Sequence, residues 1–159
     1  MRLRAWLCHF PPMLEVIGID HIYLAVRDLA RSEPFYDRAL RDVLGFRKNR
    51  FELNGEPHVQ YYNRHFGFVL RPARSNAAHD PYASGLHHFC LRVDSAEEVA
   101  DAAKQLRAAG IDAIEATSYP EYAPDYVATF FSDPDGIRLE VTNYRQERRE
   151  RNERWDAGR

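Results

Sequence analysis

The sequence predicts an α+β protein made of two tandem βαβββ modules, which form a curved mixed sheet with the helices outside. Two segments of alternating polarity, each followed by an amphipathic helix, begin near residues 20 and 87. A histidine stands at the same place in each segment, and His21 and His88 are 67 positions apart. A glycine ends each predicted helix, at Gly45 and Gly110. Because neither small sheet buries its apolar face alone, we expect the modules to pack together or to exchange partners with a second chain.

The first module is predicted over residues 13–72. Its first strand alternates between an apolar face, formed by Ile22, Leu24 and Val26, and a second face, formed by His21, Tyr23 and Ala25. Apolar residues at helical spacing predict a helix over 29–44. Phe46 begins the next extended segment, and two more strands are predicted around 58–62 and 67–71.

A linker over residues 73–85 leads to the second module, residues 86–144. Its first strand alternates so that Phe89, Leu91 and Val93 point inward, with His87 on the same core face, and His88, Cys90 and Arg92 lie opposite. Ser95 and Glu98 have the spacing of a capping box for a helix that runs to about Ala109. Its buried face is predicted at Val99, Ala102, Ala103 and Leu106. A loop over 119–125 and strands over 126–131 and 137–142 complete the module, and the 136–140 segment is matched with 67–71.

Composition restricts the class of partner. A net charge of -2 and a pI near 6.4 give no general attraction to nucleic acid, and no apolar run has the length of a membrane span. The two cysteines, Cys8 and Cys90, form no disulfide framework, so we expect a reducing cytoplasm. Residues 1–12 are predicted to be a disordered extension, and the charged tail, residues 145–159, a solvated helix or a frayed end.

Three residues are candidate metal ligands. His21, His88 and Glu140 all lie opposite the helix-covered face of their strands, so a single curved sheet would place them on one concave surface. Two imidazoles and one carboxylate bind one side of a divalent ion and leave the other side open, which is typical of a catalytic site. The remaining histidines outside this pattern, His58, His65 and His79, are interpreted as ordinary hydrogen-bonded residues.

The paired modules, with the motifs 20–26, 88–93 and 133–140, resemble the vicinal oxygen chelate superfamily over about residues 17–144. That superfamily includes glyoxalase I, fosfomycin-resistance thiol transferases, methylmalonyl-CoA epimerases, extradiol dioxygenases and bleomycin-resistance proteins. The resemblance implies a pair of βαβββ modules, one divalent metal ion (Fe, Mn, Zn or Ni) and a homodimer. Its metal positions correspond to His21, His88 and Glu140 of this chain.

The fourth metal position of glyoxalase I and the epimerases corresponds to Arg71, which cannot ligate a metal. Either Arg71 forms a salt bridge or it contacts an anionic substrate; Gln60 is a weak alternative ligand. Phe130 stands where the dioxygenases have a catalytic tyrosine, and the 119–126 loop differs from the potassium loop of the fosfomycin enzymes. The tyrosines of this loop either line the pocket or pack on the surface. The chain therefore looks like a glyoxalase-like branch of the superfamily.

The sequence thus predicts a metal-dependent lyase, thiol transferase or dioxygenase that acts on a small oxygenated substrate, chelated through adjacent oxygens. Glu140, Tyr126 and Arg71 are its predicted catalytic residues. The alternative is a dimeric protein of the bleomycin-resistance type that sequesters a ligand without turnover. An intact set of three ligands favours the enzyme.

Overall fold

The computed structural model describes residues 14–155, so the predicted N-terminal extension and Cys8 lie outside the described residues. The first module contains β1 (His21–Val26), α1 (Leu29–Tyr36), β2 (Arg47–Leu53), β3 (Glu56–Tyr62) and β4 (Gly67–Pro72). The second contains β5 (His88–Val93), α2 (Ala96–Ala108), β6 (Thr117–Ser118), β7 (Val127–Ser132) and β8 (Arg138–Asn143), and α3 (Gln146–Glu153) follows. Both predicted βαβββ modules are present, and the α+β fold class is confirmed.

Each module forms its own four-stranded mixed sheet, so within the described residues the two modules do not share the one continuous sheet that was expected. The strand orders are β1-β4-β3-β2 and β5-β8-β7-β6, with a parallel first pair and antiparallel pairs elsewhere. The first strand of each module is therefore an edge strand. The last strand lies beside it, because the helix carries the chain across and the final hairpins bring it back.

The helices of the two modules differ in regularity. α1 continues as a π-helical segment, Asp37–Val43, so the predicted 29–44 helix is present but not α-helical throughout. α2 matches the prediction: Glu98 N–H donates to Ser95 Oγ at 3.3 Å, and the four predicted core residues are buried. Gly45 and Gly110 end the two helical segments at positive φ, +70° and +76°.

A buried turn between β7 and β8 connects the modules. Asp135 Oδ1 accepts hydrogen bonds from Arg27 Nε at 3.0 Å and Arg31 Nη2 at 2.6 Å, and Asp135 Oδ2 accepts one from the Arg27 N–H at 2.7 Å. Two positions earlier, Asp133 Oδ2 accepts a bond from the buried Tyr36 hydroxyl at 3.0 Å. The turn that leads into β8 is thus held by residues in and just before α1 of the first module. The ring contact between Phe35 and Phe131 adds to this connection.

The charged tail begins with the exposed helix α3, which agrees with the solvated helix that was one of its two predicted forms. The N–H of Gln146 donates to Asp125 Oδ2 at 2.7 Å, and Arg149 Nη2 donates to the Asp94 carbonyl at 2.6 Å. Within residues 14–155, no helix is long and apolar enough to cross a membrane.

Candidate functional site

The second module and the linker before it form an open cavity of about 860 Å³. Its polar lining comes mainly from His88 at the start of β5, from Arg138 and Glu140 in β8, and from Tyr126 just before β7. Aromatic side chains supply much of the remaining wall, namely Tyr82, Tyr122, Phe130 and Phe131. A concave, partly apolar cavity with a few convergent polar groups is typical of a small-molecule site.

Glu140 lies at the centre of this polar group. Its Oε2 is 3.2 Å from His88 Nε2, and its Oε1 accepts a hydrogen bond of 2.5 Å from the Tyr126 hydroxyl. β8 runs between β5 and β7, so the neighbours of Glu140 on its two sides are Cys90 and Phe130. The residue is 3% exposed, and within the described residues its ion-pair partner is His88. The geometry brings together two of the three predicted metal ligands.

The buried carboxylate changes the acidity of its neighbours. Partial burial and then the hydrogen bond to Glu140 raise the pKa of Tyr126 well above its usual value, so its hydroxyl stays protonated. Partial burial, followed by the negative charge of Glu140, raises the pKa of the Cys90 thiol to about 12. A cation bound at Glu140 would offset these charge effects.

His21, the third predicted ligand, lies apart from this pair. It is an exposed residue at the start of β1, where its Nδ1 is 2.6 Å from Asp20 Oδ2 and its ring makes an edge contact with Tyr23. It does not line the cavity. Among residues 14–155, no three His, Cys, Asp or Glu side chains are grouped closely enough to hold a metal ion. One copy of the chain therefore does not bring the three predicted ligands together.

Comparison with known proteins agrees with this arrangement of strands and motifs. The sequence family model of the glyoxalase/bleomycin resistance protein/dioxygenase superfamily matches residues 18–141. The chain belongs to this superfamily. It is 30% identical over 142 residues to the uncharacterized protein YaeR of Escherichia coli (strain K12), and the match covers 81% of this chain and 98% of that relative.

Solved structures show the same fold at lower identity. A glyoxylase/bleomycin resistance protein/dioxygenase domain from Frankia sp. EAN1pec is 23% identical, with a TM-score of 0.67 over 82% of this chain and 100% of that one. Lactoylglutathione lyase from Agrobacterium tumefaciens is 24% identical, with a TM-score of 0.55 over 82% and 94%. The fosfomycin resistance protein FosX from Listeria monocytogenes is 17% identical, with a TM-score of 0.61 over 85% and 99%.

The register of the strands corrects the predicted match between residues 67–71 of the first module and residues 136–140 of the second. In the first module Tyr23 pairs with Val69, and in the second Cys90, 67 positions later, pairs with Glu140. The counterpart of Glu140 is therefore Val69, and the match of Glu140 with Arg71 is wrong by two residues. The glycines of the two segments aligned well in sequence, but Gly136 belongs to the turn before β8 whereas Gly67 is the first residue of β4.

Arg71 lies on β4 outside the cavity of the second module. Its guanidinium forms an ion pair with Glu56, and Arg74 contacts the other oxygen of the same carboxylate at 3.3 Å. Tyr126, in contrast, reaches Glu140 directly. Of the three predicted catalytic residues, the structure therefore brings together Glu140 and Tyr126.

The structure adds residues that sequence reasoning assigned elsewhere or left out. His87 is exposed at the cavity rather than in the core, with its Nδ1 2.7 Å from His88 Nδ1, because β5 begins only at His88 and the alternation does not extend before it. Of the loop tyrosines, Tyr122 and Tyr126 line the cavity. Arg138 also lines it, and the period of two along β8 could have identified this residue, since it shares a face with Glu140.

Proposed function

We propose that the protein is a divalent-metal-dependent enzyme that acts on a small substrate with adjacent oxygens, and that a homodimer completes its metal site. The observation that supports this most directly is the contact of His88 with the buried Glu140 inside the cavity. In the proposed site these two residues bind the metal together with His21 of a second copy. Two histidines and one carboxylate leave coordination positions open.

The position of the two histidines favours completion by a second copy. His21 is the first residue of β1 and His88 the first residue of β5, and both strands are sheet edges with unpaired backbone groups. A two-fold dimer that places β1 of one copy beside β5 of the other brings His21 toward His88 twice, once in each site. The exposed Ile19 and Tyr23 beside His21 become buried in the same contact.

The residues of this chain have separate tasks in the proposed site. A bound divalent ion supplies Lewis acidity toward the substrate oxygens; ring-opening oxygenation calls for Fe or Mn, and lyase or transfer chemistry for Mn, Zn or Ni. The Tyr126 hydroxyl donates its proton to Glu140 Oε1 and so orients this carboxylate toward the metal. We propose no catalytic role for Arg71, because Glu56 occupies its guanidinium.

The reaction class remains lyase, thiol transferase or dioxygenase. Lactoylglutathione lyase, a protein with this fold, supports the first of these classes. The second candidate function is a cytoplasmic binding protein, which the aromatic lining of the cavity favours. The reducing cytoplasm is the proposed setting for both, since the thiol of Cys90 persists there.

Metal content tests the proposal. Protein purified without a histidine tag is analysed by elemental mass spectrometry, and we expect about one divalent ion per chain. His21→Ala and His88→Ala should each reduce the bound metal by about tenfold or more, since each removes a direct ligand. His65→Ala removes an exposed histidine of the β3–β4 turn and serves as the matched control. Metal-free wild-type protein, or metal that survives both substitutions, would support the binding protein.

Mixed dimers test the shared site. When His21→Ala and His88→Ala chains are co-expressed, half of the dimers are mixed and each mixed dimer regains one intact site, so metal content returns to about a quarter of wild type. A site formed within one chain would give no recovery. Light scattering on the same samples reports whether the protein is a dimer.

A further inference from the structure

We infer that Arg138 is the anion-binding residue of the cavity, and that the substrate has a flat, largely apolar body with one carboxylate-like group. The inference rests on the proposed function only in assigning the cavity to the substrate. It adds a specificity residue and a charge to the substrate class. Three observations support it: the position of Arg138, its unsatisfied charge and the rings around it.

Arg138 is placed next to the two metal-ligand candidates. It lies two residues before Glu140 on the same face of β8, and its Cα partner across the parallel pair is His88. Tyr82, from the segment between the modules, holds the guanidinium: the Tyr82 hydroxyl is 3.3 Å from Arg138 Nη1, and the guanidinium carbon lies 5.1 Å from the ring centroid. The arginine is thus directed along the cavity wall beside His88.

Arg138 has no ion-pair partner among the residues that the structure describes. Within residues 14–155, no carboxylate lies within ion-pair distance of its guanidinium, whereas Arg27, Arg31 and Arg71 each pair with an acid. Among the described residues, two carboxylates line the cavity, namely the exposed Asp112 and the buried Glu140. Glu140 already accepts a hydrogen bond from the Tyr126 hydroxyl and contacts His88. A guanidinium offers paired N–H donors that match a carboxylate or a phosphonate. An oxyanion of the substrate therefore fits here.

The rings of the cavity favour a flat body for the same ligand. Tyr122 is stacked on Tyr119 with ring centroids 5.7 Å apart and an angle of 17°, and it meets Tyr126 edge-on at 5.4 Å. Phe130 lines the cavity beside Glu140 and is itself packed against Tyr119. These contacts fix the rings before any ligand binds, so an aromatic or similarly planar group gains contact area at small entropic cost.

Binding of simple probes to the full-length protein tests the inference without any metal. Benzoate and benzamide have nearly the same shape but differ in charge, and phenylphosphonate replaces the carboxylate by a second oxyanion. Calorimetry or saturation-transfer NMR in the presence of EDTA gives their affinities. We expect benzoate to bind more tightly than benzamide by about tenfold, the size of one charge-assisted contact. A preference for phenylphosphonate over benzoate would assign the anion as phosphonate-like.

Arg138→Gln should reduce benzoate affinity to that of benzamide and leave benzamide unchanged. Arg64→Gln makes the same charge change at an exposed residue of the β3–β4 turn and should alter neither affinity. Equal binding of benzoate and benzamide to wild type, or undiminished benzoate binding by Arg138→Gln, would overturn the inference. These affinities are measured without metal, so their outcome is independent of the metal analysis that tests the proposed function.

Discussion

Val69 in β4 and Glu140 in β8 occupy the same register position of their modules. Val69 lies two residues after Gly67, the partner of His21, and Glu140 lies two residues after Arg138, the partner of His88. One position therefore has a buried aliphatic side chain and the other a buried carboxylate. In a dimer that brings the two modules together, His21 and Val69 would come from one copy, and His88 and Glu140 from the other. The proposed metal site then has three ligands because Val69 takes the place of a fourth.

Replacing Val69 by Glu should add a fourth ligand. Val69 is 2% exposed, so in EDTA the new carboxylate is buried without a cation and should lower the free energy of unfolding by about 1–3 kcal/mol. Added Zn or Mn should then stabilise Val69→Glu more than wild type, by about 1.4 kcal/mol for each tenfold gain in affinity. Urea unfolding with and without metal measures both effects.

Val69→Leu is the matched control for the new carboxylate, since it adds volume without an oxygen ligand. Its unfolding should respond to metal as wild type does. If metal stabilises Val69→Glu no more than it stabilises Val69→Leu, then residue 69 does not contact the metal ion that Glu140 is proposed to bind.

The hydroxyl of Tyr126 stabilises the buried carboxylate of the metal-free protein. Tyr126→Phe leaves Glu140 Oε1 without this 2.5 Å donor, and we expect a loss of about 1–3 kcal/mol in the free energy of unfolding in EDTA. A divalent ion would take the place of the lost donor, so saturating metal should reduce the loss. Tyr122→Phe, which changes a more exposed ring of the same wall, serves as control. An equal loss with and without metal would contradict the assignment of Glu140 as a ligand.

His87 and His88 are adjacent but should differ in metal binding. His88 Nε2 faces Glu140 at 3.2 Å, whereas His87 precedes β5 and has a ring contact with Tyr82. We therefore expect His87→Ala to retain metal within about twofold of wild type, while His88→Ala loses about tenfold or more. Elemental analysis of the two purified variants compares them. The reverse order of metal loss would show that the wrong histidine of the pair had been assigned.

Sequence patterns predicted the fold because its signals are local. Alternation identified the edge strands β1 and β5, and the spacing of Ser95 and Glu98 identified the start of α2. Helix ends were predictable because Gly45 and Gly110 adopt positive φ, which costs glycine little. The π-helical segment Asp37–Val43 has no comparable signal, since it shares the apolar spacing of an ordinary helix.

The candidate site was predictable only in part because register is not local. Faces of strands follow from a period of two, which is why His88 and Glu140 were predicted on one face and do meet there. The alignment of one strand with its neighbour depends instead on turns and packing. The two-residue error that matched Arg71 with Glu140 arose there. The distance between His21 and the cavity depends in turn on how whole modules pack, through contacts such as Tyr36 with Asp133.

The contact between modules should weaken in acid through Asp135. Burial alone would raise the pKa of this carboxyl, but the hydrogen bonds from Arg27 and the charges of Arg27 and Arg31 outweigh it and hold the pKa below its usual range. A depressed pKa means that the ionised group stabilises the fold above its unfolded pKa of about 3.9, and that this stabilisation is lost as the pH falls through the lower folded value. Asp133 has the opposite tendency, because burial raises its pKa.

Asp135→Asn isolates this contribution, since the Asp133 effect is present in both proteins. Near pH 7 the variant should unfold with a free energy about 1–3 kcal/mol below wild type, because two half-exposed arginines lose a buried negative charge. Below about pH 4 the difference should shrink as wild-type Asp135 itself becomes protonated. Urea unfolding in EDTA at a series of pH values measures it, with the exposed Asp101→Asn as control. A difference in unfolding free energy that stays constant from pH 7 to pH 3 would contradict the prediction. It would mean that the contact between the modules does not depend on the ionisation of Asp135.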